Sequence, residues 1–204
     1  LVSGHGPASV VSIVRAGDGV VARILGPDGV FRAGARLPGE AIVHGSVQDR
    51  LIVGLAGSVV ATTGAADPDA TIVIGSGRVL ALSDTTVTRL VCAVDGCLVV
   101  TSSLLGDVLL EVPLPEPLAS AAPERWSNLG SLSPDGTRLV IRLQHGNGSV
   151  HGAVMVDLVT GVGRHSPELG VNFGVPAWAP DSRFVLYPFD GDVMIWDVEA
   201  LDGQ

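Results

Sequence analysis

One ten-residue phrase occurs twice in this chain, and the repetition restricts the fold more than any other feature. LSPDGTRLVI occupies positions 132–141 and WAPDSRFVLY occupies positions 178–187, so the copies start 46 residues apart. The turn residues are Ser133, Pro134, Asp135 and Gly136 in the first copy, and Pro180, Asp181 and Ser182 in the second. Proline, Asp and Gly are the residues that tight turns favour. Because apolar residues lie on both sides, each copy predicts a strand, a turn and a second strand.

The similarity continues downstream of each turn. AVMVDLVTG (153–161) follows the first copy and DVMIWDVEALDG (192–203) follows the second, and each places an acid, Asp157 or Asp197, inside an apolar strand. A repeat of about 40–50 residues with about four strands is typical of a β-propeller blade. Such a sheet is apolar on both faces and must stack on its neighbours to bury them. Ser182 replaces Gly136 in the second copy, so that turn is costlier if its backbone is left-handed.

Weaker copies of the pattern divide the rest of the chain. We predict an all-β fold, a β-propeller of about four to five blades with four antiparallel strands each. The chain forms either a small ring or an incomplete one, whose open apolar face would need a cover. Residues 1–204 are expected to form a single propeller domain or fragment. The expected blades span approximately residues 8–40, 41–76, 77–118, 121–170 and 171–204.

The repeated phrases resemble the S-P-D-G repeat of WD40-like propellers of the TolB type. MIWDVEALDG (194–203) resembles the closing strand of such a repeat, including its W-D dipeptide. The resemblance is strong over residues 121–204 and faint over residues 1–120, and it implies a propeller that serves as an interaction platform. The chain departs from the pattern at Ser182, lacks a Gly-His pair in the usual WD40 place and has one W-D dipeptide. The resemblance therefore does not carry the hydrogen-bond network of WD40 repeats with it.

Composition narrows the class of partner. The formal charge is −9, and all 12 cations are Arg, a bias typical of a GC-rich bacterial genome. A negative surface without a basic cluster repels phosphate backbones, so nucleic acid is not an expected partner. The longest uncharged apolar stretch, residues 51–66, contains three Gly and predicts two strands around Gly57 and Ser58 instead of a transmembrane segment.

The two cysteines flank the sequence AVDG. If this is a hairpin loop, Cys92 and Cys97 face each other across two strands, within disulfide range. We favour a disulfide, the alternative being two buried free thiols. Because disulfides persist outside the cytosol, this pair predicts an extracytoplasmic protein, secreted or anchored to the envelope through residues outside this chain; free thiols would leave it cytoplasmic.

No motif for catalysis, metal binding or a cofactor is recognised. The five histidines show no ligand spacing, and no G-x-S-x-G sequence is present. Paired carboxylates could cleave glycosides on a propeller, but an acid that recurs once per repeat is better explained as a turn cap. The carboxylates in question are Asp84, Asp107, Asp157 and Asp197. The histidines are His5, His44, His145, His151 and His165, and the three tryptophans, expected in the core more than on a sugar platform, are Trp126, Trp178 and Trp196.

The sequence therefore favours a non-catalytic scaffold whose loops and channel bind an unidentified protein or polymer partner. An enzyme is the alternative, either a carbohydrate-active propeller or the gating domain of a serine peptidase whose catalytic domain is absent.

Overall fold

The structure confirms the all-β prediction. The computed structural model describes residues 11–25, 28–32, 36–47, 50–55, 59–64, 71–94, 96–114, 126–144, 150–165, 176–189 and 192–200. Within these ranges the chain forms nineteen β-strands and no α-helix. The strands are grouped into five small sheets, in which successive strands are neighbours except for β3 and β4, and the strand registers are antiparallel.

The first three sheets follow one another along the chain. Sheet 1 contains β1 (Val11–Ala16), β2 (Gly19–Leu25), β3 (Phe31–Arg32) and β4 (Arg36–Pro38). In this sheet β3 and β4 both pair with β2, at different points along it. Sheet 2 has the order β5 (Ile42–Val47), β6 (Arg50–Leu55), β7 (Val59–Gly64) and β8 (Thr71–Ser76). Sheet 3 has the order β9 (Arg78–Leu82), β10 (Thr86–Ala93), β11 (Gly96–Ser103) and β12 (Val108–Pro113).

The last two sheets contain the repeated phrases. Sheet 4 has the order β13 (Trp126–Leu132), β14 (Arg138–Gln144), β15 (Val150–Asp157) and β16 (Gly163–His165). Sheet 5 has three strands among the described residues, β17 (Ala177–Trp178), β18 (Phe184–Phe189) and β19 (Asp192–Asp197). The stretch predicted as two strands, residues 51–66, contains most of β6 and all of β7.

The chain divides into two compact units, one of Leu1–Val91 with Val100–Glu111 and one of Cys92–Val99 with Val112–Gln204. In the first unit, β6 shows why the sheets stack. Successive residues of a strand point to opposite faces, yet Leu51, Ile52 and Val53 are all buried. Leu51 and Val53 pack with Ala22 of sheet 1, whereas Ile52 packs with Val87 of sheet 3. Sheet 2 is therefore covered on both faces.

In the second unit, sheets 4 and 5 pack through one shared cluster. Val140 and Met155 of sheet 4 contact a set of buried residues of sheet 5 and the segment after it. These are Trp178, Val185, Tyr187, Trp196 and Val198. The opposite face of sheet 4 is also buried, since Leu139, Ile141 and Val156 have no exposed surface. Two-sided burial of this kind is what the repeat pattern predicts for stacked sheets.

Candidate functional site

The first repeat turn, Ser133–Gly136, joins β13 to β14. The Ser133 hydroxyl donates to Asp135 Oδ1 at 2.6 Å, and the same carboxylate oxygen accepts from the Thr137 amide at 3.0 Å and hydroxyl at 2.9 Å. The amide of Arg138 donates to Ser133 Oγ at 2.9 Å. Partial burial raises the pKa of Asp135, but the hydrogen bonds from Ser133 and Thr137 and the positive charge of Arg138 outweigh it, and the net pKa is lowered. Asp135 is therefore an anion that holds the turn closed.

The second repeat turn, at Pro180–Ser182, contacts the first. Ser182 has φ +61° where Gly136 has φ +74°, so both copies use a left-handed residue. The Ser182 hydroxyl is buried and accepts a hydrogen bond from the Asp135 amide at 3.1 Å. The Ser182 carbonyl accepts from Arg138 Nη1 at 3.1 Å. Ser182 thus introduces backbone strain but forms two hydrogen bonds between neighbouring repeats. A glycine would keep the bond to the carbonyl and lose the bond to the hydroxyl.

The two strand acids lie at the ends of β15 and β19. Asp157 Oδ1 accepts from the amides of Val159 and Thr160, each at 2.8 Å. Partial burial raises the pKa of Asp157, but these hydrogen bonds and the charge of Arg138, which lies opposite on β14, lower it overall. Asp157 therefore caps the turn that follows its strand.

Asp197 forms an ion pair. Its carboxylate accepts from Arg183 Nη2 at 2.7 Å and from Arg183 Nε at 3.2 Å, and it also caps the amide of Glu199 at 3.1 Å. The hydrogen bond from Arg183 lowers the pKa of Asp197. Arg183 is itself the residue that replaces Thr137 in the second copy of the phrase. Both strand acids thus cap the amides two and three residues ahead. They differ in the arginine beside them, which is Arg138 for Asp157 and Arg183 for Asp197.

Together these contacts define a turn cluster, which consists of Ser133, Asp135, Arg138, Asp157 and Ser182. Arg138 is its central cation, because it bonds Ser182 and faces both acids. A general acid in glycoside cleavage needs a carboxyl group whose pKa is raised. Here the pKa values of both acids of the cluster are lowered, as is that of Asp197, so the arrangement supports turn rigidity instead of proton donation.

The remaining candidate carboxylates lie in turns of sheet 3. Asp84 is exposed in the β9–β10 turn. Asp107 lies in the β11–β12 turn, where the Ser103 hydroxyl donates to its Oδ2 at 3.2 Å and accepts from its amide at 3.2 Å. Ser103 occupies the capping position in this turn that Asp157 occupies in sheet 4, since it also accepts the amide two residues ahead.

The two cysteines form a disulfide in the structure. Cys92 lies near the end of β10 and Cys97 near the start of β11, with their Cα atoms 4.1 Å apart. Cys97 is buried, and its carbonyl accepts the amide of Leu114 at 3.0 Å. The crosslink therefore closes the β10–β11 hairpin next to its loop.

Neither the tryptophans nor the histidines form a recognisable site in the described part of the chain. Trp178 and Trp196 are buried core residues. His44 is half-buried on β5, where burial lowers its pKa and the charge of Arg78 lowers it further. Among the described residues, no three His, Cys, Asp or Glu side chains stand together as metal ligands. Outside the described residues or side chains lie Trp126, His5, His145, His151 and His165.

Two residues with prominent roles were not anticipated from the sequence. Arg138 lies within the repeated phrase, where its alignment with Phe184 in the second copy marks it as a difference between the repeats. Arg89 is almost fully buried on β10. The available signal was a lone cation in the otherwise uncharged strand TVTRLVCA.

Comparisons with known proteins identify the fold. No family model matches the chain, and no curated protein matches it. An oligogalacturonate lyase solved in complex with manganese aligns over 95% of this chain and 62% of its own, with a TM-score of 0.61 and 10% identity. Hydrazine synthase of Kuenenia stuttgartiensis aligns over 99% of this chain and 65% of its own, with a TM-score of 0.54 and 14% identity. The chain has a β-propeller fold.

TolB from Acinetobacter baumannii is a more distant structural neighbour. It aligns over 93% of this chain and 55% of its own, with a TM-score of 0.46 and 14% identity. The propeller chain therefore spans between about half and two thirds of the length of these three solved structures. In the described residues no helix is long and apolar enough to cross a membrane.

Proposed function

We propose that this propeller is a non-catalytic scaffold of the WD40-like, TolB type that binds a protein or polymer partner. The five sheets would be five successive blades of one domain. The observation that carries the proposal is that the acids of the repeats hold the turns. The carboxylates of Asp135, Asp157 and Asp197 each accept hydrogen bonds from turn amides, a hydroxyl or an arginine, and each has a lowered pKa.

Rigid turns suit a binding platform. The turn cluster fixes two neighbouring repeats to each other through Ser182, so the loops that follow each repeat keep a defined spacing. A surface that is already ordered loses little conformational entropy on binding, which favours affinity. A polar cluster at a turn can therefore serve binding without taking part in any chemical step.

The charge of the chain restricts the partner. A net charge of −9 repels polyanions at low salt. We therefore expect a neutral or basic protein surface, or an uncharged polymer, in place of DNA, RNA or a polyuronate. Binding of polygalacturonate or duplex DNA at low ionic strength, measured by calorimetry, would contradict this expectation.

An extracytoplasmic location forms part of the proposal. Its support is the Cys92–Cys97 disulfide, because such bonds are rare in reducing compartments. Fractionation of the producing cells should recover the protein outside the cytoplasm. Recovery in the cytosol with both thiols reduced would remove this part of the proposal and leave the fold unaffected.

A carbohydrate-active enzyme is the alternative, and the likeness to a lyase solved with manganese makes it directly testable. The full chain is incubated with oligogalacturonate, with and without manganese, and unsaturated product is followed by ultraviolet absorbance. The scaffold proposal expects no turnover. The matched variant carries Asp157→Asn and Asp197→Asn, and we expect it to lower Tm alone. Turnover by the wild type that this folded variant loses would replace the scaffold with an enzyme.

A further inference from the structure

One face of sheet 5 lacks the cover that its counterpart in sheet 4 has. Val140 of β14 aligns with Leu186 of β18 in the repeated phrase. On the following strand Val140 is paired with Met155, and Leu186 is paired with Ile195. Sheet 5 packs on Val140 and Met155 and buries both, whereas Ile195 is 64% exposed. The same pair of positions therefore lies in the core in one repeat and reaches the surface in the next.

The uncovered face of sheet 5 is apolar over several residues. Successive side chains of a strand alternate between its faces. Because Trp196 belongs to the buried cluster, Val193 and Ile195 lie on the opposite face of β19, where both are exposed. Ala177 is paired with Leu186 and is also exposed. We define the open face of sheet 5 by Ala177, Leu186, Val193 and Ile195.

Sheet 1, the first along the chain, also has an uncovered face. Ala22 of β2 packs on Leu51 and Val53 of sheet 2, so its neighbour Val21 points to the opposite face. Val14 of β1 is paired with Val21 and is about half exposed. We define the open face of sheet 1 by Val14 and Val21.

These two open faces are the kinds of face that a junction between sheets joins. Sheet 4 packs its Val140 face against the sheet that follows it, and sheet 1 packs its Ala22 face in the same direction. In sheet 5 the face toward a following sheet is open, and in sheet 1 the face toward a preceding sheet is open. The open face of sheet 5 is therefore suited to a β-sheet that presents its preceding face.

The charges beside the two faces are of opposite sign. Near the open face of sheet 5 lie two acids and one cation, namely Asp197, Glu199 and Arg183. On sheet 1 the exposed Arg23 lies on the same face as Val21, by alternation, and the exposed Arg36 is paired with Val21. Asp18 offsets only one of these two arginines, at 3.5 Å from Arg36. Opposite net charges favour contact between unlike faces over contact between like faces.

We propose that the chain associates head to tail with a second copy of itself. The open face of sheet 5 in one copy stacks on the open face of sheet 1 in the other, and the junction repeats the packing that joins sheets 4 and 5. Removal of apolar surface from water drives the contact. Because the two faces differ, the interface is heterologous, and copies add until a ring closes. The inference rests on sheet packing and not on the scaffold role, so either can fail alone.

Sedimentation of the full chain over a range of concentrations tests the association. The average mass of the wild type should rise with concentration to at least twice that of one chain. Ile195→Asp and Val14→Asp each place a charge in one open face at an exposed position, so each should keep the wild-type circular dichroism and sediment as a monomer. The matched control is Val73→Asp on β8, since Val73 is 63% exposed and lies outside both faces. This variant should associate as the wild type does.

Mixing the two variants tests the head-to-tail arrangement. Ile195→Asp keeps an intact face on sheet 1 and Val14→Asp keeps an intact face on sheet 5, so an equal mixture should form a species of two chains and none larger. A wild type that stays monomeric would overturn the proposal, and this result stands even if a variant fails to fold. Wild-type association by either variant alone, or a mixture that stays monomeric, would also overturn it, because the contact would then involve other surfaces.

Discussion

Ser182 holds a left-handed backbone conformation, with φ +61°, while its buried hydroxyl accepts the amide of Asp135 at 3.1 Å. The two effects oppose each other. A non-glycine residue in this conformation costs about 1–2 kcal/mol, and a hydrogen bond to a part-buried amide contributes about 0.5–1.5 kcal/mol. The sequence retains the serine, although Gly136 shows that a glycine fits the equivalent position.

Replacing Ser182 separates these two effects. Ser182→Ala keeps the strain and loses the bond, so we expect it to lower the unfolding free energy by about 1–2 kcal/mol. Ser182→Gly also loses the bond but relieves the strain, so it should be more stable than Ser182→Ala by about 1 kcal/mol. Urea unfolding of both variants gives the comparison. An alanine variant as stable as the glycine variant would show that the backbone is not strained there.

The two core tryptophans offer a matched pair of substitutions. Trp178 and Trp196 are equally buried, but Trp178 Nε1 donates to the Ser131 carbonyl at 2.9 Å, whereas Trp196 Nε1 is buried without a partner. Trp178→Phe removes a buried hydrogen bond, whereas Trp196→Phe removes an unpaired donor. We therefore expect Trp178→Phe to cost about 0.5–1.5 kcal/mol more than Trp196→Phe. Equal losses in denaturant unfolding would contradict the asymmetry.

Acid should weaken the turn cluster. The pKa values of Asp135 and Asp157 are lowered in the folded chain, so the unfolded state takes up protons first. Their stabilising effect is present above the unfolded pKa of about 3.9 and is lost as pH falls through the lower folded pKa. Asp135→Asn should flatten this part of the Tm-against-pH curve. A curve for Asp135→Asn that is identical to the wild-type curve would argue against the lowered pKa of Asp135.

The hairpin disulfide should be measurable in the unreduced protein. The denatured chain is expected to show no titratable thiol, and two thiols after reduction. Because the closed loop is short, with a sequence separation of 5, the chain-entropy model gives a stabilisation of about 2 kcal/mol. A Cys92→Ser and Cys97→Ser double variant should lose this amount in urea unfolding. Two free thiols in the unreduced chain would exclude the bond.

Most of the fold follows from short-range chemistry in the sequence. The Pro-Asp-Gly turn and the aliphatic runs beside it predict paired strands, and the repeat predicts stacking of sheets. One departure arises where geometry is set by neighbours. In sheet 1, β3 and β4 share β2 as their partner. The hydrophobic pattern does not indicate this arrangement.

The candidate sites were harder to predict than the sheets. Asp157 and Asp197 were recognised as repeat acids from their positions alone, but Arg138 gains its importance from contacts with a turn 44 residues away. Arg89 lies at a register shift between β9 and β10 that no local pattern indicates. Long-range partners and bulges are tertiary properties, and a single sequence does not encode them in its periodicity.

The burial of β6 on both faces affects how errors of strand register arise during folding. A strand with one solvent-exposed face and one buried face resists a change of register, because a shift by one residue would expose its apolar side chains to water. Leu51, Ile52 and Val53 would lie in an apolar environment on either face of the sheet, so the hydrophobic pattern does not fix the register of β6. Alignment must be enforced from the strand's ends and by the shapes of these three side chains. Substitutions in the turns that connect the strands should therefore disturb strand register more readily than conservative substitutions in the core.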